Sequence, residues 1–367
     1  MNTLQRLHAE QDQSPWIDFI DRELISTGRL ADLIGEGIRG LTSNPTIFAK
    51  AVSSGQYDEL IKQQIDAGHT NDQIFEEIAI GDVGDAADAL REVYDASNGA
   101  DGFASIEVEP ALSDDTAGTI ERARHLWTRL ARPNVFVKIP ATDAGIPAIR
   151  QCIAEGININ ITLMFSVDVY RDVAQAFIDG LKQRQAKGQP IDRIASVASF
   201  FVSRVDTKVD KQLQAVGKDG ARNVLGQAAI ANAKMAYQAY LDIFHGADFE
   251  ELRAAGAQVQ RCLWASTSTK NPDYRDVLYV EALIGPETVD TMPIDTINAF
   301  LDHGDVQRTV DHDVDAARQS LRELGAQGID MQQVTDELIE EGIASFAKSF
   351  VDLMDTIDSQ RKALAPA

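Results

Sequence analysis

A chain of 367 residues with 44% hydrophobic and 25% charged side chains can bury one large core, and that balance excludes a disordered or fibrous protein. Its formal charge of -23 repels polyanions and anionic lipid, and no basic patch offsets it, so neither nucleic acid nor a membrane surface is expected as a partner. A phosphorylated substrate would be repelled as well unless a few cations converge in one cleft, so those cations must be found one by one.

Met1–Pro15 is polar and acidic without an apolar core, and no stretch approaches about 18 uninterrupted apolar residues, so no signal peptide or membrane span is expected and the cytoplasm is the expected compartment. Short β-rich runs then recur at Trp16–Ile20, Ile38–Thr42, Phe103–Val108, Val135–Ile139, Ile157–Leu163, Ile194–Phe201, Val259–Ala265 and Thr288–Met292. Their number is that of a closed (β/α)8 TIM barrel. The intervening stretches have helical period: Ile120, Ala123, Leu126, Trp127 and Leu130 form one apolar stripe facing a sheet. Val135-Phe-Val and Ile157-Asn-Ile-Asn-Ile show little alternation toward water, as parallel strands covered by helices should. An open doubly wound sheet is the alternative, but no G-x-G-x-x-G follows the first strand and no P-loop occurs.

Residues 70–97 read as a helical insertion between the second and third strands, and residues 313–362 as C-terminal helices. Phe346 and Phe350, four apart, predict that this tail packs on the barrel. With no internal repeat or low-complexity linker, residues 1–367 are expected to form a single domain. Cys152 and Cys262 lie far apart in apolar surroundings and read as reduced structural thiols, and the six histidines show no metal-ligand spacing. No metal or cofactor is expected.

Barrel chemistry sits at the C-terminal strand ends, so polar residues there are the candidates. They are Asp18, Thr42-Ser43-Asn44, Ser105, Glu107, Lys138, Asn160, Thr162, Ser199 and Ser266. Each has a plainer use: Thr42, Ser43 and Asn44 suit a turn and helix N-cap, Ser199 and Ser266 suit caps, and Asp18 could pair with Arg22 four residues on. Lys138 is hardest to explain so, because a lysine in an apolar strand is poorly hosted in a lumen unless its charge is compensated. Desolvation favours the neutral amine, which attacks a ketone to form a Schiff base, an electron sink that permits C–C cleavage. The plainer reading is an ion pair with Glu107 or Asp18 at the barrel rim. Such a reaction also needs two proton carriers, for which Asp18 and Glu107 are the available carboxylates, with Thr162 placed to orient a water.

The segments Thr42-Ser-Asn-Pro-Thr-Ile-Phe48, Ser105-Ile-Glu-Val108, Val135-Phe-Val-Lys-Ile-Pro-Ala-Thr142, Gly156-Ile-Asn-Ile-Asn-Ile-Thr-Leu-Met-Phe165 and Trp264-Ala-Ser-Thr-Ser-Thr-Lys-Asn-Pro272 resemble transaldolase, particularly its longer bacterial subgroup. The likeness runs in order across nearly the whole chain. It implies a barrel of the class I aldolase type in which Lys138 forms the Schiff base, Asp18 handles the proton of the cleaved hydroxyl, and Glu107 with Thr162 activates water. It also implies that Thr42, Asn44, Asn160, Ser199 and Phe201 meet the three-carbon unit, and that Arg204 and Ser266 bind phosphate. Where the family pattern has a second arginine, this chain has Ser268, and Lys270 is the candidate replacement. Glu107 and Phe201 further resemble transaldolase rather than the related fructose-6-phosphate aldolases, which carry Gln and Tyr.

The expectation is thus transfer of a dihydroxyacetone unit from sedoheptulose 7-phosphate or fructose 6-phosphate to glyceraldehyde 3-phosphate or erythrose 4-phosphate, in the non-oxidative pentose phosphate pathway. A fructose-6-phosphate aldolase or a silent sugar-phosphate-binding barrel are the alternatives. The assembly, a homodimer among the options, stays open.

Overall fold

The computed structural model describes residues 1–216 and 224–364. A helix, α1 (Thr3–Gln11), precedes β1 (Gln13–Ile17), and α2 (Arg22–Ser26) and α3 (Arg29–Glu36) lead to the two-residue β2 (Gly40–Leu41). Four helices, α4 (Pro45–Ser53), α5 (Asp58–Asp66), α6 (Asn71–Ala89) and α7 (Arg91–Ala96), separate β2 from β3 (Phe103–Glu107). The middle of the chain alternates regularly through α8 (Thr116–Leu130), β4 (Val135–Pro140), α9 (Gly145–Glu155), β5 (Ile159–Met164), α10 (Val167–Ala186) and β6 (Ser196–Phe201). Then come α11 (Ser203–Val216), α12 (Ala228–Phe244), α13 (Ala247–Ala254), β7 (Gln260–Ala265), α14 (Leu278–Ala282) and β8 (Thr288–Met292). Three helices follow the last strand: α15 (Ile294–His303), α16 (Val314–Gln327) and α17 (Met331–Leu364). The eight strands close in sequence order into a parallel barrel, as the sequence predicts.

The first strand differs from expectation. It begins at Gln13 and ends at Ile17 instead of spanning Trp16–Ile20. Pro15 is tolerated inside β1 because its carbonyl accepts from Arg39 N–H, so its missing N–H also faces β2, where only a short ladder forms. β2 is likewise shorter than the Ile38–Thr42 run, and β5 and β6 each begin two residues later than read.

Because β side chains alternate, each strand sends every second residue into the barrel. Trp16, Phe103, Phe136, Val197, Leu263 and Val289 form an apolar plug, with Phe103 stacked on Phe136 at 4.2 Å between centroids. Gly40 makes the plug possible: a Cβ there would lie 2.4 Å from Trp16 Cε2, so no larger residue fits beside the indole. Two residues further along, the same inward rows become polar at Asp18, Thr42, Ser105, Lys138, Asn160, Ser199 and Thr291. The plug therefore gives those groups a dry floor.

On the outside, α8 buries Ala123, Leu126 and Leu130 while Ile120 and Trp127 stay partly exposed at the edge of the stripe. α17 packs against α4 and α5 and crosses the C-terminal mouth. Phe350 meets Phe75 edge-on at 5.7 Å, and Phe75 meets Phe48 at 5.5 Å, fixing the tail to the segment between β2 and β3. Gly342 passes so near the end of β5 that an added Cβ would sit 3.1 Å from Leu163 Cδ2. Both cysteines are buried and unbridged, and burial pushes each thiol up to about 12. Among the described residues, no helix is long and apolar enough to cross a membrane.

Candidate active site

A cavity of about 460 Å³ opens at the C-terminal ends of the strands, roofed by Gly342, Ser345, Phe346 and Ser349 of α17. Asp18, Thr42, Asn44, Glu107, Lys138, Thr162, Ser199, Phe201, Arg204, Ser266 and Lys270 all line it. Asn160 lies just below, wholly buried, within reach of that lining.

Register explains the central group. Glu107 of β3 is paired with Lys138 of β4, and Lys138 with Asn160 of β5, so three inward residues stand side by side at one level. Lys138 Nζ ion-pairs with Glu107 Oε1 and donates to the Ser43 carbonyl at 3.1 Å. The lysine is thus not left uncompensated in the lumen; the ion pair with Glu107 exists, but deep in the pocket rather than at a solvated rim. Burial pushes the Glu107 carboxyl above its ordinary range, Lys138 opposes the rise, and the Asp18 charge adds to it. Glu107 Oε2 is buried without a hydrogen-bond partner, which leaves one oxygen of this carboxyl unsatisfied.

Asp18 sits one residue past β1, where its carboxylate accepts from Thr42 Oγ1 at 2.7 Å. Thr42 also shares a hydrogen bond with Thr291 of β8 at 2.8 Å, so the carboxylate is steered from two strands. Arg22 does not pair with Asp18; it reaches Asp82 and Asp85 behind the barrel. Asp21 faces away too, capping α2 through Leu24 N–H. On the opposite wall Ser199 Oγ donates to Asn160 Oδ1 at 2.7 Å, and Asn160 Nδ2 donates to Ser105 Oγ at 3.2 Å. Asn44 caps α4 by accepting from Ile47 N–H at 3.1 Å while bordering the pocket. The capping use and the pocket position are therefore compatible.

The cationic end is built from two turns. Ser266, just past β7, adopts φ of 57°, a left-handed conformation that costs a serine about 1 kcal/mol or more. The strain is held by Ser203: its N–H donates to the Ser266 carbonyl at 3.1 Å and the two hydroxyls share a hydrogen bond at 2.9 Å. Ser203 opens α11, so Arg204 stands in the first turn, where backbone N–H groups favour anions. Its guanidinium lies 5.1 Å over the Phe201 ring and has no ion-pair partner among the described residues. Burial lowers its affinity for the proton from the usual arginine range, and Asp18 works against that. Lys270 stands exposed at the rim and donates to Ser268 Oγ at 2.6 Å. Partial desolvation and the neighbouring Arg204 charge hold its ammonium below the ordinary lysine range.

The arrangement can do aldol chemistry: one amine, two carboxylates in different surroundings and a cationic anchor around one cavity. A family model described as transaldolase/fructose-6-phosphate aldolase matches residues 15–357. The chain belongs to this family. Among its relatives within the transaldolases, a Parafrankia protein named transaldolase is 47% identical over 348 residues, covering 94% of both chains. Transaldolase 1 of Streptomyces coelicolor is 46% identical over 357 residues, with 96% of this chain and 93% of that one covered. Transaldolase 2 of a Nostoc species is 45% identical over 370 residues, with 97% of each covered.

Sequence reasoning missed Thr291 as a pocket residue and Ser203 as the support of Ser266, and it left open whether the tail helix covers the active site or a dimer interface; α17 roofs the pocket. Thr291 alternates with Val289 along β8, so its inward direction was readable; the Ser203 contact arises from tertiary packing and leaves no local signal.

Proposed function

We propose that this transaldolase carries its three-carbon unit on Lys138, with Asp18 and Glu107 dividing the proton transfers. The observation behind this reading is the Glu107–Lys138–Asn160 row, which puts a buried amine beside a carboxyl whose proton affinity is raised. Glu107 takes a proton from Lys138, and the free amine attacks C2 of the ketose phosphate. Glu107 then returns a proton so that water leaves the carbinolamine, with Thr162 orienting that water. Asp18 removes the proton from the hydroxyl on C4, the C3–C4 bond breaks, and its electrons flow into the iminium to give an enamine. The aldose phosphate departs, another takes its place, and the steps reverse.

Asn44, Asn160 and Ser199 hold the hydroxyls of the three-carbon unit, beside Thr42, which steers Asp18. Arg204, with Ser266 and Lys270, holds the phosphate; a guanidinium suits it because two parallel N–H groups can engage it at once. Phe201 brings no hydroxyl to the intermediate, which favours waiting for an acceptor over hydrolysis. The setting is sugar-phosphate metabolism in the cytoplasm. The test is product analysis with fructose 6-phosphate, with and without erythrose 4-phosphate. Sedoheptulose 7-phosphate formed only with acceptor, and little free dihydroxyacetone, supports transfer; steady dihydroxyacetone release without acceptor would make the protein an aldolase instead.

A further inference from the structure

At the N-terminal end of the barrel, opposite the catalytic pocket, a second cavity of about 690 Å³ opens to solvent. That volume is within the range of small-molecule sites, roughly 300–1,000 Å³. Its floor is a charge cluster that the reaction does not use. Asp101, buried, accepts from Ser14 Oγ, from Trp16 Nε1 at 2.9 Å and from Arg39 Nε at 2.7 Å, and Arg261 Nη2 lies 3.5 Å away. Burial alone would raise this carboxyl, but the Arg261 and Arg39 charges hold it below the usual range.

Within the cluster one carboxylate faces two guanidiniums, while the other charges of the lining, Arg253, Asp12 and Glu287, stand around it. Arg39 reaches Asp101 through Nε, and its two Nη groups have no hydrogen-bond partner among the described residues. Arg261 directs Nη1 to Ser14 Oγ at 2.7 Å. The two arginine side chains are 20% and 14% exposed, so they can be reached from the cavity. The remaining carboxylates of the lining are engaged elsewhere: Glu287 accepts from Tyr240 and His245, and Asp12 from the Glu287 N–H. Arg39 Nη donors without a protein partner, beside Arg261 at the base of a cavity open to solvent, are placed to engage an anion.

We propose that this mouth of the barrel is a second anion site, which takes a small phosphorylated molecule against Arg39 and Arg261. A dianionic phosphate matches two convergent guanidiniums better than a single carboxylate does. The Trp16–Phe103–Phe136 plug separates it from the catalytic pocket, so occupancy does not depend on turnover.

Equilibrium dialysis of the full chain against radiolabelled inorganic phosphate tests this. The Arg204→Ala protein, weakened at the catalytic phosphate position, should still retain one phosphate. Adding Ala100→Glu, at an exposed residue of the cavity rim whose side chain makes no hydrogen bond to the arginine network, should weaken that phosphate about tenfold or more by like-charge repulsion. Arg39→Gln should do the same. If wild type and Arg204→Ala bind the same single phosphate, and Ala100→Glu releases it, the floor site stands and the Arg204 assignment suffers. An Arg204→Ala protein that retains none, or one whose phosphate ignores both Ala100→Glu and Arg39→Gln, would overturn the proposal and leave the arginines as a closure of the barrel floor.

Discussion

The two ends of this barrel each bury a carboxylate against cations, and they treat it in opposite ways. At the N-terminal end Asp101 is surrounded by Ser14, Trp16, Arg39 and Arg261, and its proton affinity is held down. At the C-terminal end Glu107 has one partner, Lys138, an orphaned second oxygen, and a proton affinity pushed up. A fully bonded carboxylate fixes structure; an under-bonded one beside an amine is left able to exchange a proton. The same fold thus keeps its rigid charge under the plug and its reactive charge above it.

Mutations should separate the ends. Lys138→Met should lower transfer on the order of 10⁴-fold or more while the protein stays folded, because Glu107, already inclined to hold its proton, can become neutral. Circular dichroism and coupled turnover assays read both effects. Next, Asp18→Asn should cost about 10³-fold in kcat with a smaller change in KM, since in the proposed mechanism it removes the group that acts as the C–C bond breaks.

Asp101→Asn should show the reverse pattern: a loss of about 3 kcal/mol in urea unfolding, with kcat little changed, because two half-buried guanidiniums lose their counter-charge. Its folded-state proton affinity is depressed, so its stabilisation is present above the ordinary aspartate range and is lost as pH falls through the lower folded value. The wild-type advantage over Asp101→Asn should therefore shrink as pH falls below the ordinary aspartate range, so that the two unfolding free energies converge in acid. A kcat that collapses in this variant would mean the two ends are not independent.

The smallest effect concerns Asp290, which faces outward from β8, accepts from Thr267 Oγ1 at 2.8 Å and is pushed up to about 7 by burial. Here the folded value is raised, so the stabilisation is complete at low pH and is lost as pH rises toward neutrality. Wild type should lose ~1 kcal/mol or more relative to Asp290→Asn between about pH 5 and about pH 8. A pH-independent gap between the two would show that Asp290 stays ionised throughout.

How much of this was legible in the sequence depended on distance along the chain. The barrel followed from eight β-rich runs, because closure in sequence order requires only that each run be followed by a helix. Asp18, Glu107 and Lys138 stood out because each breaks an apolar pattern at a strand end. Strand limits were less legible: Pro15 hid the start of β1, since its harmlessness depends on β2 being short. The floor cluster was invisible, since Ser14, Arg39, Asp101 and Arg261 are far apart in sequence and each looks like an ordinary surface residue. The same holds for Ser203, whereas Phe346 and Phe350 announced that the tail helix packs on the barrel without saying which face of it would be covered.

The central claim is that the reactive end works through Lys138, and reductive trapping tests it most directly. The protein is incubated with fructose 6-phosphate, reduced with borohydride and mapped by mass spectrometry, with and without erythrose 4-phosphate. A dihydroxyacetone-sized adduct on Lys138 that disappears when acceptor is added before reduction is the result predicted here. An active protein with no adduct on Lys138, or with the adduct on another lysine such as Lys270, would contradict it.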